Sequence, residues 1–153
     1  MGWMILPLKR YADFSGRSRR MEFWMFTLFF WIVTIVLGLI AMSGIPWTGL
    51  ESWNPEQEWG GTIMFMIGAV LLVIWWLGTL VPVTAVTVRR LHDRGLSGWW
   101  YGGLIIAGFV PLVNMITFPG YLVLLVFLCL PSQEGTNKWG PSPFDPGMAS
   151  VFR

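Results

Sequence analysis

The sequence predicts an all-α fold, a polytopic bundle of four membrane-spanning helices, on three observations. The first is composition: 55% of the 153 residues are hydrophobic and only 12% are charged, against about 25% charged in a soluble domain. The second is a set of three stretches without Asp, Glu, Lys or Arg, at 23–50, 60–88 and 95–133. The third is that Lys and Arg occur only before the first stretch, between the second and third, and after the last.

The four spans are expected at about 23–42, 62–88, 98–112 and 117–130. A spanning helix needs about 20 mostly apolar residues, because each residue rises about 1.5 Å and the hydrocarbon core is about 30 Å thick. The last charge-free stretch has 39 residues, too many for one crossing, and Pro111, Asn114 and Pro119 favour a turn near its middle. We therefore expect short third and fourth helices that form a hairpin. Three spans are the alternative.

The basic residues also predict the orientation. Cytoplasmic loops are enriched in Lys and Arg, and the loop between the first two spans contains neither but holds three Glu. Both termini are therefore expected in the cytoplasm. With four spans, ten basic and five acidic residues lie on that face, a surplus of five positive charges. With three spans, Lys138 and Arg153 would lie outside. Residues 1–145 are expected to form a single membrane domain, followed by a flexible end at 146–153.

The first of three motifs on the cytoplasmic face precedes the first span, at 14–24. Gly16 permits a tight turn, Ser18 can cap the following helix through its hydroxyl, and the helix dipole favours Glu22 in the first turn. Three cations are expected at headgroup depth: Arg17, Arg19 and Arg20. The ordinary interpretation is an anchor that sets topology. The more specific one is a phospholipid-headgroup site, because Arg binds phosphate bidentately.

The second motif, at 89–100, closes the second span and opens the third. Gly95 is expected as a left-handed helix cap, and Ser97 as the N-cap of a helix whose first turn holds Gly98. The motif's cations suit a helix C-terminus; they are Arg89, Arg90 and Arg94. His92 and Asp93 invite a catalytic interpretation, but His92 is the only histidine and Cys129 the only cysteine. A structural role is therefore expected, without metal or cofactor.

The third motif lies in the tail, at 131–143, where Gly, Asn and Pro forbid a helix. Asn137 and Gly140 are its expected turn residues, and the tail is expected to fold against the loop of the second motif.

The three motifs are expected to converge in one cluster at the cytoplasmic face. Carboxylates at an interface keep their charge more easily when they are paired with arginines. We therefore predict that Arg17, or an arginine of the second motif, bonds to Glu22 or Asp93.

Together the motifs resemble those of the bacterial inner-membrane family named domain of unknown function 805, the YhaH-like proteins. The hallmarks are F-x-G-R-x-x-R-x-x-F/W, R-R-L-H-D-x-G-x-S-G-W-W and G-x-N-x-W/Y-G-P-x-P, which stand here at 14–24, 89–100 and 135–143. The resemblance covers about residues 8–145, and the long central motif makes it specific. It implies a small bacterial integral membrane protein without an established activity.

Three functions are compatible with these patterns. The leading hypothesis is a non-enzymatic protein that contacts anionic lipid headgroups, copies of itself or another membrane protein, since Gly98 and Gly102 would let helices approach closely. The second is a small oligomeric transporter or channel subunit, although no span contains a charged residue of the kind that marks ion pathways. The third is a membrane-embedded enzyme that uses His92 and Asp93 on lipid or isoprenoid phosphates. Nucleic acid is not expected as a partner.

Overall fold

A computed structural model describes residues 2–45, 59–111 and 113–145, with the backbone alone at 114 and 116. Within these ranges the chain forms five helices and no strand, which confirms the all-α class. The helices are α1 (Gly2–Lys9), α2 (Arg20–Met42), α3 (Trp59–Asp93), α4 (Trp99–Gly108) and α5 (Asn114–Cys129). The predictions for the acidic loop at 46–58 and for a flexible end at 146–153 lie outside the described residues.

Two helices in the described ranges are long and apolar enough to cross a membrane, α2 with 23 residues and α3 with 35. At about 1.5 Å per residue they measure about 35 Å and about 50 Å, so both exceed a hydrocarbon core of about 30 Å. Only 11% of the most apolar window of either helix is buried inside the protein. The core helix of a soluble protein would be mostly buried, so this exposure favours lipid as the surroundings.

α4 is shorter than the predicted third span of 98–112, whereas α5 begins earlier than the predicted 117–130 and is slightly longer. α4 has 10 residues and α5 has 16, and they pack against each other as a hairpin. Asn114 and Pro119 were used as signals for the turn, but both belong to α5, with Asn114 as its first residue and Pro119 inside the helix. Pro119 is the sixth residue of α5, so the carbonyl oxygen four residues earlier loses its N–H donor, and neighbouring groups in membrane proteins can satisfy such a freed carbonyl. The link between the helices therefore lies before Asn114.

The helix α1 was not predicted from the sequence. It has eight residues, includes the buried Pro7, and ends at Lys9. A helix this short is only marginally stable in isolation. α1 therefore depends on tertiary packing, which no local sequence pattern predicts.

The contacts divide the chain into two compact units. The first unit is Met1–Thr27 with Val81–Arg153, and the second is Leu28–Leu80. Within the second unit, Trp75 links two helices, because its Nε1 donates a hydrogen bond to Oγ1 of Thr34 at 3.1 Å and its ring stacks on Phe30. All three sequence motifs belong to the first unit.

Candidate functional site

Asp93, the last residue of α3, lies between two arginines. Its Oδ1 accepts a hydrogen bond from Nε of Arg17 at 2.9 Å, and its Oδ2 accepts one from Nη1 of Arg90. Asp93 is fully buried, and both arginines are at most 1% exposed. Burial of a charge is costly unless the charge is paired and hydrogen-bonded, so this carboxylate and the two guanidinium groups depend on one another.

The other donors of Arg17 and Arg90 hold the segment that leaves α5. Nη1 of Arg17 donates to the backbone carbonyl oxygen of Gly135 at 2.6 Å, and its Nη2 donates to that of Gln133. Nε of Arg90 donates to the backbone carbonyl oxygen of Leu128 at 3.1 Å, and its Nη2 donates to that of Leu130. Carbonyls at and beyond a helix C-terminus lack intrahelical partners and attract positive charge. The arginines therefore attach the tail to the end of α3.

A second buried ion pair joins the first motif to α3. Nη2 of Arg89 lies 3.0 Å from Oε1 of Glu22, and both residues are fully buried. The Oγ of Ser18 donates to Oε2 of Glu22 at 2.8 Å, and the Ser18 N–H donates to the carbonyl of Arg89 at 3.1 Å. Ser18 was expected to cap α2 by accepting a backbone hydrogen bond. Its hydroxyl donates to Glu22 instead, because a buried carboxylate needs more than one donor.

Asp13 lies beside this pair at the edge of the protein. It accepts from Nε of Arg10 at 3.0 Å and from Oγ of Ser15 at 2.6 Å, and its Oδ2 is 3.8 Å from Nη1 of Arg89. Burial by itself would raise the pKa of Asp13, but the hydrogen bonds from Ser15 and Arg10 outweigh it and lower the pKa to about 2. Asp13 is therefore ionised at neutral pH and adds a negative charge near Arg89.

His92 is held by the first and third motifs. Its ring stacks on Trp139 with centroids 3.6 Å apart and planes 6° apart, and its Nδ1 lies 3.2 Å from the carbonyl oxygen of Gly16. The His92 carbonyl accepts a hydrogen bond from Nδ2 of Asn137 at 2.9 Å. Asn137 also exchanges two backbone hydrogen bonds with Gly140. The side chain of His92 is only 5% exposed, so it serves as packing between motifs.

Gly95 ends α3 in the left-handed conformation, with φ 73°. Its N–H donates to the carbonyl of His92 at 2.9 Å, and the N–H of Leu96 donates to the carbonyl of Leu91 at 3.0 Å. This pair of bonds is the Schellman motif, which satisfies carbonyls at a helix end. It turns the chain immediately after Asp93.

Replacing Gly95 with valine is expected to lower the free energy of unfolding by about 1 kcal/mol or more, since a β-branched residue is strained at this φ. An added Cβ would also lie 2.9 Å from Oε1 of Gln133. Thermal unfolding in detergent measures the effect. Gly103→Val is the control, because Gly103 lies inside α4 with open space around its Cα. Equal unfolding temperatures for the two variants would contradict the role of Gly95.

The start of α4 differs from the prediction that Ser97 is its cap. The N-cap is Gly98, without a side-chain hydrogen bond, and the Oγ of Ser97 is a distant 3.4 Å from the N–H of Trp99. A Cβ at Gly98 would lie 2.7 Å from a methyl carbon of Val88. Gly98 therefore allows the start of α4 to pack closely on α3.

Six of the predicted residues form what we call the motif cluster: Arg17, Glu22, Arg89, Arg90, His92 and Asp93. Three predicted arginines lie outside it. Arg19 donates to the carbonyl of Pro143 at 2.8 and 2.5 Å, Arg94 donates to that of Pro131 at 2.5 Å, and Arg20 is exposed. Two contacts were not predicted from the sequence: the hydrogen bond from Ser18 to Glu22 and the stacking of Trp139 on His92. Ser18 and Trp139 both lie within the motifs.

Comparison with known proteins adds the family. Residues 11–141 match the family described as Protein of unknown function (DUF805). The chain belongs to this family. This DUF805 protein is 36% identical over 144 residues to inner membrane protein YhaH of Escherichia coli (strain K12), which covers 94% of the chain and 97% of the relative. No solved structure matches it.

Two further relatives of the DUF805 protein occur in the same organism. Inner membrane protein YhaI is 36% identical over 143 residues, covering 94% of the chain and 96% of the relative. The uncharacterized protein YiiR is 26% identical over 148 residues, covering 87% of each. The resemblance predicted from the motifs is confirmed. With two helices of membrane-spanning length, the DUF805 chain is a membrane protein related to inner-membrane proteins.

Proposed function

We propose that this DUF805 protein is a multi-pass protein of the bacterial inner membrane that works without catalysis. It acts through lipid-headgroup or protein contacts on its cytoplasmic face. The observation that carries the proposal is the internal pairing of the motif cluster. Asp93 and Glu22 each accept hydrogen bonds at both oxygens from neighbouring side chains, and both are fully buried. Such a cluster joins three segments of the chain to one another. Lipids or partner proteins would then contact the protein surface around the cluster.

The same pairing argues against an enzyme that uses His92 and Asp93. A general acid or base must come within hydrogen-bonding reach of the proton that it transfers. Asp93 is 0% exposed and His92 is 5% exposed, and the motif cluster occupies the polar atoms of Asp93. Within the described residues, no three His, Cys, Asp or Glu lie together in a group that could hold a metal ion.

The test of a non-catalytic role uses the purified full-length protein and lipid extracted from a bacterial inner membrane. After incubation, lipid mass spectrometry is expected to show the same lipid species with and without protein. A product that forms with wild type and not with Asp93→Asn would contradict the proposal, provided that the variant remains folded.

The proposal includes four crossings with both termini in the cytoplasm. All ten basic residues then lie inside, as the distribution of Lys and Arg favours. The shorter hairpin of α4 and α5 would cross with local thinning of the bilayer.

Cysteine labelling tests this topology. In a Cys129→Ser background, Ser52→Cys should react with a membrane-impermeant maleimide in intact cells, whereas Thr136→Cys should react only after permeabilisation. Thr136 is exposed in the tail, whereas the nearby Ser142 is buried and would label poorly. Labelling of Thr136→Cys in intact cells, with Ser52→Cys also labelled, would favour three spans and reject the four-span proposal.

A further inference from the structure

A groove at the start of α2 combines two arginines with apolar walls. It has a volume of about 370 Å³ and is lined by Trp3, Arg19, Arg20, Met21, Trp24 and Phe144. The lining side chains carry two positive charges and no carboxylate. The groove belongs entirely to the first compact unit.

The polar end of the groove suits a phosphate. Arg20 is the first residue of α2 and is exposed, so its guanidinium can meet a ligand. Arg19 adds a second positive charge, although it already donates two hydrogen bonds to the Pro143 carbonyl. The first N–H groups of a helix lack intrahelical acceptors, and the helix dipole favours an anion at this end.

The walls of the groove suit the carbon atoms next to a headgroup. Met21 is 57% exposed and Phe144 is 63% exposed, which leaves apolar surface beside the arginines. The indole rings of Trp3 and Trp24 are of the type that prefers the headgroup level of a bilayer. Apolar surface and phosphate-binding groups therefore lie together, as a phospholipid requires.

A neighbouring cavity of about 410 Å³ shares Arg20 and Phe144 but is also lined by Glu134 and Asp145. Its two carboxylates disfavour an anion there. Arg17 and Arg90 of the motif cluster are also unsuitable, because they are buried and donate through Nε and both Nη atoms to protein acceptors. Arg89 is 0% exposed and pairs with Glu22, so a headgroup at the surface does not reach it. Charge complementarity thus selects the first groove.

We infer that this groove binds one anionic phospholipid, with the phosphate on Arg20 at the start of α2 and the adjoining acyl carbons against Met21 and Trp24. The inference rests on the proposed lipid contacts and assigns them to one site. It moves headgroup recognition away from the motif cluster, whose arginines hold the fold.

The experiment uses the full-length protein in nanodiscs of equal parts phosphatidylglycerol and phosphatidylethanolamine, followed by native mass spectrometry of the retained lipid. Wild type is expected to retain phosphatidylglycerol in preference. Arg20→Gln should lower the ratio of retained phosphatidylglycerol to phosphatidylethanolamine about fivefold, which corresponds to about 1 kcal/mol for one basic residue near the surface. Arg20→Lys should keep most of the preference, because it keeps the charge.

Lys138→Gln is the matched control, since it removes one exposed positive charge outside the groove. Its lipid ratio should stay close to that of wild type. Equal losses for Arg20→Gln and Lys138→Gln, or equal retention of both lipids by wild type, would overturn the inference while leaving general lipid contact in place. Failure of every variant and of wild type to retain phospholipid would also contradict the lipid contacts of the proposed function.

Discussion

Replacement of Asp93 by alanine is expected to lower the free energy of unfolding by about 3–5 kcal/mol, the usual cost of removing one partner from a buried ion pair. The variant would leave Arg17 and Arg90 buried without their shared carboxylate. The same arginines hold the tail, so we also expect the contacts with Gln133 and Gly135 to loosen. Folded yield after size-exclusion chromatography and thermal unfolding in detergent measure the loss.

Arg10→Ala is the control for this prediction. Arg10 also pairs with an aspartate, but the side chains of Arg10 and Asp13 are 19% and 36% exposed, whereas those of Asp93 and its two arginines are at most 1% exposed. Solvent screens a partly exposed pair, and pairs at the surface contribute only about 0–1 kcal/mol, so Arg10→Ala should lower the stability much less than Asp93→Ala does. Equal stability of Asp93→Ala and wild type would contradict the structural role of Asp93. If such a folded variant also lost a measurable hydrolase or transferase activity, the enzyme hypothesis would replace the proposal.

Gly68→Ala is expected to destabilise the second compact unit by about 1–3 kcal/mol, the range for overpacking a close contact. An added Cβ at Gly68 would lie 2.5 Å from Cα and 2.6 Å from N of Ala41. These are backbone atoms, so the helices α2 and α3 would have to separate. Small residues permit this kind of close approach between membrane helices.

Gly78→Ala provides the comparison within the same helix. A Cβ at Gly78 would have no atom within 4 Å, and alanine is a better helix former than glycine by about 1 kcal/mol. We therefore expect Gly78→Ala to unfold at the same temperature as wild type or higher, and Gly68→Ala to unfold at a lower one. Indistinguishable unfolding temperatures would show that α2 and α3 do not meet closely at Gly68.

The helical class and the family followed from the sequence alone. A charge-free stretch has to satisfy its backbone hydrogen bonds internally in lipid, which selects a helix wherever the stretch is long enough. α2 and the core of α3 therefore lie within a few residues of their predicted ends. At α4 a 10-residue helix replaces the expected 98–112, because proline and glycine signals do not determine which of several turns the chain uses.

The partners of each charged residue were decided by the tertiary structure. Arg17 and Arg19 are two residues apart in one motif, yet Arg17 is buried against Asp93 and Arg19 reaches the Pro143 carbonyl near the surface. Both partners lie more than 70 residues away along the chain. Electrostatics predicts that a buried carboxylate acquires a cation, but only the folded path of the irregular segments brings one particular guanidinium within 3 Å of it.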